Sequence, residues 1–152
     1  MKYEKLVTLT NPNSTVSEVY RIMRTNVLFS SLDNDLRSLL ITSPGPTEGK
    51  SLTTANLGVA FAQYGKKVII VDTDMRKPTQ HKMFGLDNTV GLTNLMLGEV
   101  SLRDVLKPID NLALFVLPTG PLPPNPAELL GSDRMKEIID ELKDNADIVI
   151  FD

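Results

Sequence analysis

The stretch Thr42–Ser51, TSPGPTEGKS, constrains the fold more than any other part of this sequence. It lies between a short apolar run at 39–41 and a longer segment with helical spacing, in the order strand, loop, helix. A glycine-rich loop that precedes a helix turns its backbone N–H groups toward an anion, and the positive end of the helix points to the same place. The sequence therefore predicts a phosphate-binding loop, with Lys50 reaching the β- and γ-phosphates and the Ser51 hydroxyl binding Mg²⁺.

The loop departs from the usual spacing G-x-x-x-x-G-K-[ST] in its first half. Pro44 stands where the first glycine is expected, and Pro46 removes a backbone N–H. A turn rich in glycine and proline before an ordinary helix is therefore the competing interpretation. If the loop binds a nucleotide, we expect the contacts from one continuous stretch: Gly45, Pro46, Thr47, Glu48, Gly49, Lys50, Ser51 and Leu52.

Two acidic residues follow the next apolar segment. The run 67–71, KVIIV, is rich in β-branched residues and leads directly to Asp72 and Asp74. Such a run is typical of a parallel strand that is buried on both faces. Ligands of open α/β sheets bind at the carboxyl ends of the strands, so both carboxylates are expected beside the loop. The alternative is that these two residues only cap the following helix.

The final segment, DIVIFD at 147–152, is a third candidate nucleotide-binding motif. It is a hydrophobic strand that ends in Asp152, and a magnesium-binding aspartate occupies this position in P-loop enzymes. Apolar runs alternate with helical segments along the chain, the last helix being expected at 127–145. The predicted fold class is α/β, a P-loop NTPase whose mostly parallel sheet is flanked by helices in three layers.

The same pattern suggests a domain organisation. Residues 1–14 form a polar lead that we expect to be flexible, and residues 15–152 form one nucleotide-binding domain. A domain of this type normally continues through further strands and a closing helix, whereas this sequence stops at the acidic residue of a strand. We therefore expect the C-terminal part of the domain to be missing.

Composition narrows the functional classes. No apolar run approaches 18 residues and there is no cysteine, which argues against a membrane-spanning segment, a disulfide framework and a thiolate metal site. A net charge of −3 argues weakly against nucleic acid as the main partner. The expected location is the cytoplasm.

One helix before the loop carries an unusual set of charges. Apolar residues recur at three and four between positions 16 and 30, and Glu18, Arg21 and Arg24 follow each other at intervals of three. These charges lie on one slowly drifting side of the helix. A solvated face with an ordinary Glu–Arg pair is one interpretation, and a capping box formed by Thr15 and Glu18 is another.

Taken together, the motifs resemble those of a known family. TSPGPTEGKS, VIIVDTDMRKPT and IVIFD resemble the three nucleotide-binding motifs of the bacterial tyrosine kinases (BY-kinases) of capsule and exopolysaccharide assembly, the CpsD/CapB-like proteins. EVYRIMRTN resembles their E-x-x-R-x-x-R segment. The resemblance runs from about Glu18 to Asp152 and includes four motifs in the same order.

The resemblance implies an activity and a set of site residues. It implies a protein-tyrosine kinase that binds ATP through Lys50 and Ser51. Mg²⁺ would be held by Ser51 with help from Asp74 and Asp152, and Asp72 would accept the proton of the tyrosine hydroxyl. The catalytic set implied in this way is Lys50, Asp72, Asp74 and Asp152.

The resemblance also implies partners. Glu18, Arg21 and Arg24 would join subunits into a homo-oligomeric ring, and the substrates would be tyrosines of proteins. An activator is expected as well, namely the cytoplasmic segment of a chain-length-regulator-type polysaccharide co-polymerase, which would keep the kinase at the inner face of the plasma membrane. The family usually ends in a tyrosine-rich tail, whereas this sequence has three scattered tyrosines.

Two other functions stay open from the sequence. One is a P-loop ATPase that drives assembly or localisation, as in plasmid partition and septum placement, without tyrosine transfer. Those ATPases carry Lys-Gly-Gly where this sequence has Gly45, Pro46 and Thr47, which favours the kinase. The other is a nucleotide-binding scaffold without catalytic activity.

Overall fold

The computed structural model of the protein describes residues 3–31 and 34–152. The helices are α1 (Val7–Thr10), α2 (Thr15–Phe29), α3 (Lys50–Gln63), α4 (Gln80–Met83), α5 (Leu92–Met96), α6 (Leu102–Val105), α7 (Pro126–Leu130) and α8 (Asp133–Asn145). The strands are β1 (Ser38–Leu40), β2 (Val68–Val71), β3 (Lys107–Pro108), β4 (Leu114–Leu117) and β5 (Ile148–Phe151). Within the two described ranges, no helix has the length and apolarity needed to cross a bilayer.

The sheet is mostly parallel, as the sequence predicts. Its strand order is β1-β5-β2-β4-β3, and only the short strand β3 runs antiparallel to its neighbour. Residues Val71, Phe151 and Leu117 are in register across β2, β5 and β4, so these strands end at the same edge. The acidic residues that follow β2 and β5 are therefore brought to one side of the molecule.

Helices cover both faces of the sheet. All residues of β2 and β5 are buried, which explains why their sequences, VIIV and IVIF, are continuously apolar. One apolar core packs α3 and the N-terminal helices on the face that includes Ile70 and Ile150. The other core packs α5, α6 and α8 on the face that includes Ile69 and Val149. The predicted three-layer architecture is confirmed.

The N-terminal segment differs from the flexible lead expected at 1–14. The described part contains helix α1, and Leu6 before it is fully buried. The backbone N–H and the hydroxyl of Thr8 both donate to the Asn56 side-chain oxygen on α3, at 3.1 and 2.9 Å. Gln63 donates to the Thr8 carbonyl at 2.9 Å. One turn carries too few apolar residues to produce a helical pattern, so this packing could not be predicted from the sequence. Met1 and Lys2 lie outside the described residues.

Two helix boundaries also differ from the predictions. The helix expected over 127–145 is divided into α7 and α8, because the Ser132 hydroxyl accepts the N–H of Met135 and begins a new helix. At α2 the capping residue is Ser14, whose side chain accepts the N–H of Ser17. The expectation of a capping box at Thr15 is therefore wrong.

Candidate nucleotide-binding site

The loop between β1 and α3 borders an open cleft at the carboxyl edge of the sheet. The cleft has a volume of about 500 Å³ and is lined by the loop from Gly45 to Leu52, by Asp74 and by Lys5 of the N-terminal segment. Gly49 has a φ of 86°, in the left-handed region where a side chain is strained. This turn lets α3 begin directly at Lys50, so the N-terminal N–H groups of a long helix face the cleft.

The loop contains a carboxylate that accepts a hydrogen bond from one of the loop's own backbone N–H groups. The backbone N–H of Gly45 donates to Glu48 Oε2 at 3.1 Å. Thr47 between them has a φ of 61°, which folds the side chain of Glu48 back over the loop. The loop thus holds a negative group of its own against an N–H that an anionic ligand would use.

Lys50 and Asp152 are paired across the cleft wall. Lys50 Nζ lies 3.0 Å from Asp152 Oδ1, and the Asp152 side chain is fully buried while that of Lys50 is 23% exposed. Thr54 also donates to Oδ1, at 3.2 Å, and the Gln80 side-chain nitrogen donates to Oδ2 at 2.7 Å. The first and third sequence motifs therefore meet, and the buried carboxylate is satisfied by three donors.

Asp72 is fully buried and does not line the cleft. Its Oδ2 accepts the backbone N–H groups of Thr79 and Gln80 at 2.9 Å each, and its Oδ1 accepts that of Asp74 at 3.3 Å. Burial raises the pKa of Asp72 to about 6, with the nearby charge of Asp152 acting in the same direction and the three backbone donors acting against it. Asp72 thus binds the backbone at the start of α4, and its expected role as acceptor of the tyrosine proton stays a prediction.

Asp74 does reach the cleft. It is half-buried, and its Oδ1 accepts the backbone N–H groups of Arg76 and Lys77 at 3.2 and 2.9 Å. These bonds fix the carboxylate at the tip of the turn after β2, where it borders the same space as Ser51. The two acidic residues after β2 therefore have different environments.

The oxygen-bearing side chains at this edge of the sheet suit a magnesium ion. The hydroxyl of Ser51 and the carboxylates of Asp74 and Asp152 are oxygen ligands, which Mg²⁺ prefers. In the described ranges, no group of three or more His, Cys, Asp or Glu side chains could hold a metal by itself.

The charged residues of α2 have separate environments. Glu18 pairs with Arg21 at 2.7 Å on the exposed side of the helix, so the capping-box interpretation of Glu18 is wrong. Arg24 instead donates to the Ala60 carbonyl at 3.1 Å, and its guanidinium lies 4.4 Å from the centre of the Tyr64 ring. Arg24 is therefore packed against the C-terminal end of α3 within the same chain.

Two contributors to the site were missed by the sequence analysis, Thr54 and Gln80. Thr54 lies one helical turn after Lys50, and this spacing could have indicated that its side chain faces the same way. Gln80 comes eight residues after Asp72, in a segment without periodicity. No pattern in the sequence predicts that its side chain returns to the carboxylate at the end of β5.

Comparison with known proteins agrees with this geometry. Residues 39–151 match the family model of the CobQ/CobB/MinD/ParA nucleotide binding domain. The tyrosine-protein kinase YwqD of Bacillus subtilis is 50% identical over 147 residues, which cover 97% of this chain and 62% of YwqD. The crystal structure of the chimerical protein CapA2B2 has a TM-score of 0.95 at 43% identity, covering 100% of this chain and 67% of that one.

A more distant solved structure contains a bound nucleotide. The septum site-determining protein MinD of Pyrococcus horikoshii, complexed with Mg-ADP, has a TM-score of 0.64 at 28% identity and covers 77% of this chain and 48% of its own. The much higher similarity to YwqD separates this chain from the MinD-type ATPases. The chain belongs to the CobQ/CobB/MinD/ParA nucleotide-binding family, and its relatives over nearly its whole length are bacterial tyrosine kinases.

Proposed function

We propose that this chain is the nucleotide-binding part of a protein-tyrosine kinase that acts in capsular or exopolysaccharide synthesis. The observation that carries the proposal is that Lys50, Ser51 and Asp74 line one cleft at the carboxyl edge of the sheet, while Lys50 pairs with the buried Asp152 behind the cleft wall. The 50% identity to YwqD, over a span that is 62% of that kinase, supports this reaction class.

The loop and the start of α3 would hold the phosphates of ATP. Backbone N–H groups from Thr47 to Ser51 surround the anion, and the positive end of α3 adds to their attraction. The ammonium group of Lys50 has three donors and stands at the cleft wall, so it can turn from Asp152 toward phosphate oxygens. The contacts proposed for ATP are those expected from the sequence: Gly45, Pro46, Thr47, Glu48, Gly49, Lys50, Ser51 and Leu52.

Ser51, Asp74 and Asp152 would hold Mg²⁺ beside these phosphates. When bound, the ion supplies positive charge that neutralises the oxygens of the transferring group. Asp74 is fixed by two backbone donors of its own turn, and Asp152 by Thr54 and Gln80. Both carboxylates therefore keep their orientation without help from the ligand.

In the reaction, the tyrosine oxygen attacks the γ-phosphorus, the bond to the β,γ-bridging oxygen breaks, and ADP leaves. The phenol proton passes to a base, and Asp72 in this role stays a prediction. In the present conformation the Asp72 carboxylate is enclosed by three backbone donors, so direct contact with a phenol requires the turn at 73–79 to move. Its established contacts instead position the residues that follow β2.

Partners and location are proposed from the same resemblance. A homo-oligomeric ring would form through α2, whose residues Glu18 and Arg21 lie at the surface. The apolar residues Val19 and Ile22 on this helix are each more than half exposed, which supports a contact there. The cytoplasmic segment of a membrane co-polymerase would activate the kinase and hold it at the inner face of the plasma membrane.

The decisive experiment follows the γ-phosphate of labelled Mg-ATP with a tyrosine-rich peptide as the acceptor. We expect label on tyrosine with the natural chain and none with Lys50→Met. Lys136→Met is the matched control, because Lys136 pairs with Asp133 on the exposed side of α8, away from the cleft. Release of free phosphate without labelled tyrosine would refute the kinase and favour an ATPase of assembly or localisation.

A further inference from the structure

Gln80 contacts all three nucleotide-binding motifs at once. Its side-chain nitrogen donates to the Ser51 carbonyl at 3.0 Å and to Asp152 Oδ2 at 2.7 Å. Its backbone N–H donates to Asp72 Oδ2 at 2.9 Å. The residue is fully buried, so these contacts are not shared with solvent. A single residue thus connects the three motifs: its side chain joins the phosphate-binding loop to the end of β5, and its backbone N–H binds Asp72 after β2.

The orientation of the Gln80 amide follows from its neighbours. The Ser51 carbonyl and the Asp152 carboxylate can only accept, so the nitrogen of the amide must face them. In the part of the chain that the structure describes, the side-chain oxygen of Gln80 has no hydrogen-bond partner although it is buried. The amide is therefore held by the two bonds of its nitrogen.

These contacts suggest a role when a nucleotide is present. Lys50 and Thr54 bind one oxygen of Asp152, and among residues 3–31 and 34–152 Gln80 is the donor to the other. If Lys50 turns to phosphate, as the proposed function requires, the buried carboxylate loses its cation but keeps Thr54 and Gln80. Removing Gln80 would leave Asp152 with donors on Oδ1 only, and with Thr54 as its remaining donor once Lys50 turns to phosphate, so the carboxylate could rotate about its Cβ–Cγ bond.

We propose that Gln80 is a positioning residue that orients Asp152 for Mg²⁺ while Lys50 is engaged with the nucleotide. This inference rests on the proposed function only through the binding of Mg-nucleotide and not through transfer to tyrosine. Partners that orient a metal-binding side chain typically change metal affinity by about 10–100-fold when they are removed. Gln80 therefore controls the affinity of the site for the ion rather than the contacts to the nucleotide.

The test is a titration of a fluorescent ATP analogue in the presence and absence of Mg²⁺, using Gln80→Met, which keeps the length of the side chain and removes its donors. We expect the Mg²⁺ concentration at half-saturation to rise about tenfold. Affinity for the analogue in EDTA is expected to stay at the value of the natural chain. Gln63→Met is the matched control, since it removes a similar bond from a glutamine on α3 to the Thr8 backbone carbonyl on α1, away from Asp152.

Gln80→Asn serves as a second variant that keeps an amide but is one methylene too short to reach Asp152, and it should show the same rise. An unchanged Mg²⁺ dependence in a folded Gln80 variant would overturn the inference. An equal loss of affinity with and without Mg²⁺ would also overturn it, as would binding to the natural chain that does not depend on Mg²⁺. A chain that binds Mg-nucleotide but never labels tyrosine refutes the proposed function alone.

Discussion

The buried carboxylate of Asp72 makes the stability of the nucleotide-free protein depend on pH in a defined direction. Burial raises its pKa from the ordinary 3.8 to about 6 in the folded state. The folded protein therefore binds this proton more tightly than the unfolded chain does, and the contribution to stability is present at low pH and lost as the pH rises through 6. The difference corresponds to about 3 kcal/mol in the free energy of unfolding, of which about 2 kcal/mol falls between pH 4 and pH 7.

Asp72→Asn removes this titration and keeps one acceptor. The amide oxygen can still accept the N–H groups of Thr79 and Gln80, but the amide nitrogen faces the N–H of Asp74, which costs about 1–3 kcal/mol. At pH 4 the Asp72 carboxyl of the natural chain is largely protonated. The cost of the amide is then nearly the whole difference in the free energy of unfolding, so the natural chain should be the more stable. At pH 7 the natural chain also bears a buried charge, and the two proteins should be nearly equal in stability.

The assay is urea unfolding of both proteins at pH 4, 5, 6 and 7, free of nucleotide and with a metal chelator. Asp104→Asn is the control. Asp104 is exposed, and the side chain and backbone of Ser101 donate hydrogen bonds to its carboxylate, which lowers the pKa of that carboxyl. The stability of Asp104→Asn relative to the natural chain should fall as the pH rises, whereas that of Asp72→Asn should rise. A stability difference for Asp72→Asn that is constant across this range would refute the reasoning.

Three further predictions concern the loop and helix α2. Lys50→Met should lower the stability of the nucleotide-free protein by about 1–3 kcal/mol, because buried Asp152 loses its cation; an unchanged melting temperature would contradict this. Glu48→Ala frees the N–H of Gly45 and should tighten nucleotide binding about two- to fivefold in a fluorescence titration, and weaker binding would speak against competition by Glu48. Ile22→Asp should change stability by less than about 0.5 kcal/mol but reduce the mass measured by light scattering to that of a monomer. An assembly that survives this change does not use the apolar side of α2.

The central strands and the loop could be predicted from the sequence because each is determined by local chemistry. Val68–Val71 and Ile148–Phe151 are continuously apolar since both faces of the sheet are covered. The left-handed backbone at position 49 is occupied by glycine, which adopts a positive φ without strain. Once these strands are parallel, their acidic ends must lie at one edge, and the pairing of Lys50 with Asp152 at that edge follows.

The remaining features depend on contacts between residues far apart in the chain. Helix α1 is held by Asn56 and Gln63, and one turn has no periodicity that would indicate this. Asp72 and Asp74 are two residues apart and look equivalent in the sequence, yet one is enclosed by backbone donors and the other borders the cleft. The contact between Gln80 and Asp152 spans 72 positions and leaves no local pattern.

The attachment of the N-terminal segment to α3 has a practical consequence for labelling. Leu6 and Thr8 hold this segment against α3, and as a result Lys5 lines the nucleotide cleft. The sequence contains no cysteine, so Lys5→Cys would be the only thiol available to a maleimide dye. A dye attached there is anchored at the mouth of the cleft, and its emission would report the arrival and release of a nucleotide directly, without a coupled assay.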